Sequence, residues 1–360
     1  MWGQLATCQS ARGGLKEAAF SLQMGEEVAS ALSESAPSRM YFDLQRVRVL
    51  HQGGRLTEAE ALATRTLSTT GRVVGKTHWL YALALSRRAE VWMMLGRFGE
   101  VAQLYREAIP LLERSFGPED KRALSAHHNL GSALAAGHRY EEANREYAPL
   151  LQREGGWKNS PLTSDLVPVM LALGRKAEAL KLGRAAISEI SERDPAVFSR
   201  LSQQLMAWAL AELAAGNPNE VLRRMRVTLE LEPLGAAPFD SALVFQIFEA
   251  GALRRLGRPR ESLALLDSVR GRLSHVQKLT PTEQLLAVER VQCLLELNRN
   301  QDAQRELAEL DLDSPGGVDP LERARLWQQV ARALDGEGKK LEAGPLWAQA
   351  QRAIDALAPR

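Results

Sequence analysis

The stretch Ala126-His127-His128-Asn129-Leu130-Gly131-Ser132-Ala133-Leu134, with Tyr140-Glu141-Glu142-Ala143-Asn144-Arg145-Glu146-Tyr147 after it, decides how this chain folds. Leu130, Gly131 and Leu134 fall on one helical stripe, and Ala143, Tyr147 and Leu150 on another. Gly137 lies between them. Two antiparallel helices joined by a tight turn need a residue that tolerates φ > 0 where the first one ends. Glu142 then falls in the first turn of the second helix, where the partial positive charge of the helix N-terminus favours a carboxylate. Ala143 follows because the helices cross closely there, and a large side chain would force them apart.

Outward from this hairpin, the same succession of turn, acidic residue and small residue runs the length of the chain. It recurs as Glu17-Ala18, Glu58-Ala59, Glu100-Val101, Glu142-Ala143, Glu178-Ala179, Glu220-Val221, Glu261-Ser262, Asp302-Ala303 and Glu342-Ala343, at separations of 41, 42, 42, 36, 42, 41, 41 and 40 residues. Before each stands a turn residue: Gly13, Gly54, Gly96, Gly137, Gly174, Gly216, Gly257, Asn298 or Gly338. The flanking segments keep helical spacing, as in Leu80, Leu83, Ala84, Trp92 and Leu95 before the third turn and Val101, Leu104, Tyr105, Ala108 and Leu111 after it. One hairpin cannot bury its apolar face alone, so the units must stack into an array. The spacing predicts an all-α solenoid of about nine helix-turn-helix repeats.

The quoted stretch resembles the tetratricopeptide repeat, whose signature positions are matched by Asn129, Leu130, Gly131, Tyr140, Ala143 and Tyr147. Leu104 to Ala108, with Phe116-Gly117-Pro118-Glu119-Asp120, is similar to the longer repeat of kinesin light chains and many bacterial regulators. HEAT-like repeats have a similar period but do not impose the turn of glycine, acid and alanine. The resemblance implies a right-handed superhelix whose first helices line a concave groove. It also implies a scaffold that binds a protein or peptide and catalyses nothing. Arrays of this kind in bacteria are often fused to kinase, DNA-binding or protease-like domains, so a regulatory module of a larger signalling protein is the alternative.

Composition narrows the field. With 45% hydrophobic and 25% charged residues the chain is an ordinary folded protein. Lys and Arg number 46 against 44 Asp and Glu, a balance with no general pull toward nucleic acid or anionic membrane. Cys8 and Cys293 are too few for a disulfide framework or zinc cluster, which fits a reducing, cytoplasmic setting. The beginning, Met1 to Cys8, lacks the basic and apolar regions of a signal peptide and reads as the body of a helix. Phosphate-loop, dinucleotide-binding and nucleophile-elbow motifs are missing from the sequence, and its six histidines make no metal-ligand spacing. No cofactor, metal or catalytic residue is expected. RNA binding by a helical repeat is disfavoured by the neutral charge.

The period shortens to 36 residues where Glu154-Gly155-Gly156-Trp157-Lys158-Asn159-Ser160-Pro161 interrupts the helical pattern. Residues 1–154 are expected to hold four repeats, 155–161 an irregular connection and bend, and 162–360 repeats five to nine with a terminal capping helix. Pro168 is expected to kink or shorten the first helix of the fifth repeat. The Asp313-Ser314-Pro315-Gly316-Gly317 stretch is a second irregular connection, and the start inside a first helix raises the expectation of a portion of a longer protein.

Registering the repeats on their acidic turn residues yields the side chains, nearly all polar, expected on the groove face. They are Tyr41, Gln45, Arg48 and His51 in the second repeat, Ser86, Arg87, Glu90 and Met93 in the third, and His128, Asn129 and Ser132 in the fourth. Arg254, Gln292, Arg325, Gln329 and Arg332 follow in later repeats. Polar groups on a helix otherwise made of Ala and Leu need water or a partner. Arginine there suits bidentate binding of carboxylates, as in an acidic peptide or a chain terminus. The sequence leaves the partner's identity and the oligomeric state open.

Overall fold

The computed structural model describes residues 2–11, 14–33, 36–151, 161–188, 191, 202–230, 239–273, 281–309 and 319–355. Among these residues the chain forms eighteen α-helices and no strand. It divides into two compact lobes, Met1–Leu150 and Leu151–Arg360. The N-terminal lobe pairs α1 (Trp2–Ala11) with α2 (Leu15–Ser30), α3 (Pro37–Gln52) with α4 (Leu56–Val73), α5 (Trp79–Met94) with α6 (Phe98–Phe116), and α7 (Lys121–Ala136) with α8 (Tyr140–Leu151). The C-terminal lobe pairs α9 (Pro161–Ala172) with α10 (Lys176–Ala186), α11 (Ser202–Ala215) with α12 (Pro218–Leu229), and α13 (Phe239–Arg255) with α14 (Pro259–Leu273). It ends with α15 (Pro281–Glu296) and α16 (Asn300–Glu309), then α17 (Pro320–Gly336) and α18 (Lys340–Asp355). Within each lobe, first helices of successive hairpins touch, as in α3 with α5 and α11 with α13. Second helices pack against the next first helix, as in α4 with α5 and α12 with α13.

The turns share one backbone motif. Gly54, Gly96, Gly174, Gly216, Gly257 and Gly338 have φ between 71° and 84°, and Asn298 has φ 58°. The N–H of the next residue donates to the carbonyl five residues earlier, for example Arg55 to Leu50 at 2.9 Å and Arg299 to Leu294 at 2.8 Å. This pairing satisfies carbonyls that the helix end would leave bare. In the fourth repeat the left-handed residue is His138 (φ 59°), one position after the expected Gly137 (φ −87°). The correction restores a constant interval of four residues between turn residue and acid. Gly13 lies outside the described residues.

A second feature of the turns went unread in the sequence. Arginine follows the left-handed residue in six turns, and its guanidinium grips the acid three residues on. The pairs are Arg55–Glu58, Arg97–Glu100, Arg139–Glu142, Arg175–Glu178, Arg258–Glu261 and Arg299–Asp302. In each, hydrogen bonding from the arginine holds the carboxyl below its usual range. Solvent-exposed pairs contribute little individually, but these restrain the chain where one helix hands over to the next.

The small residue after each acid is the fourth residue of every second helix and is fully buried in all nine hairpins. Ser262 shows how near the neighbouring backbone lies, since its Oγ donates to the Ala250 carbonyl of α13 at 2.7 Å. Larger side chains fill the space beyond. Tyr105 and Tyr147 are among the largest fully buried side chains, and Trp92 lies between Arg88 and Arg97, 4.0 and 3.8 Å from its ring centre. In the C-terminal lobe Leu266, Val269, Val291, Leu294, Val330 and Leu334 belong to one apolar cluster. Cys293 joins it as the apolar stripe implied, 3.1 Å from Ser262 Oγ, and burial pushes its thiol up to about 11.

Pro168 lies within α9, which is short but runs on to Ala172. The irregular stretches 155–160 and 313–317, and with them the expected bend, lie outside the described residues. No helix among the described residues is long and apolar enough to cross a membrane.

Gly131 marks one of the two tightest approaches at a glycine in the N-terminal lobe, since a Cβ there would meet the Tyr147 ring at 2.5 Å. Gly131→Ala should destabilise the chain by about 2 kcal/mol through overpacking. A lowered midpoint in thermal unfolding followed by circular dichroism checks this, and an unchanged midpoint would contradict the packing described.

Candidate functional site

Two positions on each first helix, thirteen and ten residues before the acid, form columns along the array. In the N-terminal lobe they hold Gln45 and Arg48, Arg87 and Glu90, then Asn129 and Ser132. In the C-terminal lobe they hold Asp165 and Pro168, Ala207 and Leu210, Phe248 and Gly251, Glu289 and Gln292, then Gln329 and Arg332. The polar residues singled out from sequence largely occupy these columns.

In the N-terminal lobe the expected residues of α3, α5 and α7 share a polar network. Arg87 pairs with Glu90 one turn along α5; burial works against the arginine's charge, and the carboxylate more than offsets it, leaving the pKa raised. His51 is half-buried and its pKa is lowered by burial, with Glu90 opposing and Arg87 and Arg48 reinforcing the shift. Asn129 Nδ2 donates to the Tyr105 hydroxyl at 3.0 Å, and burial raises the pKa of that phenol. Ser132 Oγ lies 3.0 Å from the Tyr147 hydroxyl and donates to the His128 carbonyl at 3.1 Å. The His128 ring centre is 5.9 Å from that of Tyr147. Tyr41 sits apart, against Trp79 at 6.3 Å between ring centres.

Several expected residues are committed to the fold. Gln45 is buried and accepts from Thr7 Oγ1 at 3.0 Å, while buried Ser86 donates to the Ala82 carbonyl at 3.0 Å. Arg254 is buried and donates to Glu289 at 2.9 Å and Glu296 at 2.8 Å. Arg255 also reaches Glu289, at 3.3 Å. Of the arginines expected to receive carboxylates from outside, Arg87 and Arg254 are thus already paired within the chain. Gln292 is half-buried, and Arg325, Gln329 and Arg332 are exposed on α17.

An open concavity lies in the C-terminal lobe, across the first helices of the fifth to eighth repeats. It has a volume of about 430 Å³. Pro168 of α9, Met206, Ala207 and Leu210 of α11, Val244 and Phe248 of α13, and Leu285 of α15 make its apolar surface. Ser164 and Asp165, Gln203, Ser241 and Thr282 supply its polar positions. Ser164 Oγ is buried without a hydrogen-bond partner. Val244 and Phe248 are themselves buried and belong, with Leu205, Trp208, Leu213, Met225 and Phe245, to the lobe's second apolar cluster, against which Met206, Leu210 and Leu285 pack. Sequence reasoning missed these residues because it sought polar side chains in the columns. The available signal was the reverse, the replacement of polar by apolar residues there in the fifth to seventh repeats.

An apolar groove crossed by consecutive first helices defines a helical-repeat solenoid with a ligand-sized concavity. No family model and no curated protein matches the sequence. Solved structures do. The apo form of the quorum sensor NprR from B. thuringiensis aligns with a TM-score of 0.60 and 12% identity, over 98% of this chain and 96% of that one. NprR in complex with its cognate peptide NprX aligns at 0.59 and 10%, over 98% and 97%. A tetratricopeptide repeat protein from Parabacteroides merdae ATCC 43184 aligns at 0.50 and 16%, over 76% and 93%. The chain has the tetratricopeptide-repeat fold.

Beside the polar network, His127 of α7 is bonded at both ring nitrogens. Nδ1 lies 2.8 Å from Glu146 of α8 and Nε2 3.2 Å from Glu113 of α6. The Glu146 bond, more than burial opposes, raises its pKa above the ordinary 6.5. A raised folded-state pKa means the contribution is fully present below about pH 6.5 and is lost as the pH rises through the folded value. The melting temperature should therefore exceed that of His127→Gln by roughly 2–4 °C at low pH. The gap should close as the pH rises through the folded-state value. Thermal melts of both proteins on either side of that value check the sign, and a gap that widens with pH would contradict it.

Proposed function

We propose that this chain is a binding scaffold that holds a peptide segment of a partner protein in the C-terminal groove, without catalysis. The observation that carries this is the apolar surface laid across α9, α11, α13 and α15, open to solvent and spanning four repeats. Apolar side chains at the mouth of a concavity gain free energy when an occupant displaces water from them. The peptide complex of NprR supports the reading, because the same fold there carries a peptide. Arg48, His51, Glu90, Asn129 and Ser132 are candidates for secondary contacts in the N-terminal lobe, as are Gln292, Arg325, Gln329 and Arg332 in the C-terminal lobe.

A second reading has one observation in its favour. The likeness to a quorum sensor along nearly the whole chain suits a sensory module, in which an occupied groove is read by an effector domain. Both readings place the occupant at the same surface.

Retention of partner proteins by immobilised full-length chain tests the groove. Leu210→Asp places a charge on a half-buried groove residue and should reduce retention at least about tenfold. The combined change of Arg48, Arg87 and Asn129 to Ala should reduce it less, with helicity preserved in both. Undiminished retention by Leu210→Asp would overturn the assignment to this groove.

A further inference from the structure

We propose that the exposed face of α2 pairs two copies of this chain, the two α2 helices lying antiparallel about a two-fold axis with Phe20 of each against the partner's Met24. Phe20 and Val28 are 61% and 60% exposed, and Met24 between them is half-buried. Residues four apart stand nearly above one another on a helix, so the three make one apolar stripe. Leu5 of α1 is 43% exposed and continues the stripe sideways. It stands one turn before Gln9, whose side chain accepts from Ser21 Oγ of α2 at 2.7 Å. The next two second helices, α4 and α6, differ at the matching positions. Three residues after the acid, where α2 has Phe20, they carry Ala61 and Gln103; seven after it, where α2 has Met24, they carry Arg65 and Glu107. A face that is small or polar on its neighbours is therefore apolar on α2, and covering it removes apolar surface from water.

The charges on α2 select a second copy as the occupant. Lys16 and Glu27 are exposed and make no ion pair among the described residues, whereas Glu26 is held by Arg39 and Arg46. Each residue turns the helix by about 100°, which places Lys16 about 40° and Glu27 about 20° to one side of Phe20, and Val28 about 80° to the other. An antiparallel pair about a two-fold axis brings like flanks together. With Phe20 against the partner's Met24, Lys16 comes level with the partner's Val28, beside the partner's Glu27. Its aliphatic stem covers the apolar stripe while its ammonium meets the carboxylate. Symmetry makes this contact twice, once at each end of the stripe. The face is complementary to itself.

An interface confined to α2 and the adjoining α1 lies at the small end of the specific range, so the dimer should form at micromolar concentrations. Sedimentation velocity of the full-length chain from about 1 to about 100 µM reads it, the mass rising from 39.7 kDa toward twice that value. Phe20→Glu should weaken the pairing at least about tenfold, with helicity by circular dichroism unchanged. Lys16→Glu and Glu27→Lys, each alone, should weaken it about tenfold, because both end contacts then set like charges together. An equimolar mixture of these two single variants should associate as tightly as the unaltered chain, since each end contact again joins opposite charges. A chain that stays monomeric throughout overturns the proposal, and so does a dimer that Phe20→Glu leaves intact. A mixture that associates no more tightly than its components overturns the antiparallel register. The pairing stands or falls independently of the C-terminal groove.

Discussion

In every hairpin the fourth residue of the second helix is fully buried where the two helices cross, and it is always Ala, Val or Ser. That close crossing sets the depth of the array. It brings the two helices of a hairpin close enough for the next first helix to touch both, which is the packing seen within each lobe. The left-handed turn residue and the arginine–carboxylate clasp place that small residue in register, but burial supplies the free energy, since the clasps lie in water. With the crossing constant, equivalent positions of successive first helices fall into columns.

The columns carry two kinds of chemistry. In the N-terminal lobe they are filled by groups that satisfy one another: Arg87 with Glu90, Asn129 with Tyr105, Ser132 with Tyr147. Such a surface is rigid and largely self-sufficient, as buried polar groups must be. In the fifth to seventh repeats the columns turn to Pro168, Leu210 and Phe248, and hydrogen bonding gives way to an apolar lining that is exposed at Pro168, half-buried at Leu210 and buried at Phe248. Beyond them the charges return as the compensated cluster of Arg254, Arg255, Glu289 and Glu296. The groove is thus bounded on that side by charges already paired.

The fold was legible because its determinants are local and repeated. Glu58-Ala59 and its eight counterparts name the turn, the helix start and the close crossing from a handful of residues each. His138 escaped because a neighbouring glycine is the more obvious candidate for φ > 0, though histidine tolerates that region better than most side chains. The groove was not legible in the same way. Leu210 shares a helix with fully buried Leu205, and composition cannot tell a core leucine from one half-buried at a groove. Arg254 failed in the opposite sense, because its carboxylate partners lie thirty-five and forty-two residues away, a distance at which a single sequence carries no pairing signal.

The turns have a further consequence for how the molecule is made. Their hydrogen bonds join residues five apart and their ion pairs residues three apart, so a hairpin can close as soon as its own forty or so residues exist. Contacts this local favour rapid folding. Within each lobe, a chain growing on the ribosome can lay down each hairpin on the one before it, exposing only the newest apolar face at any moment.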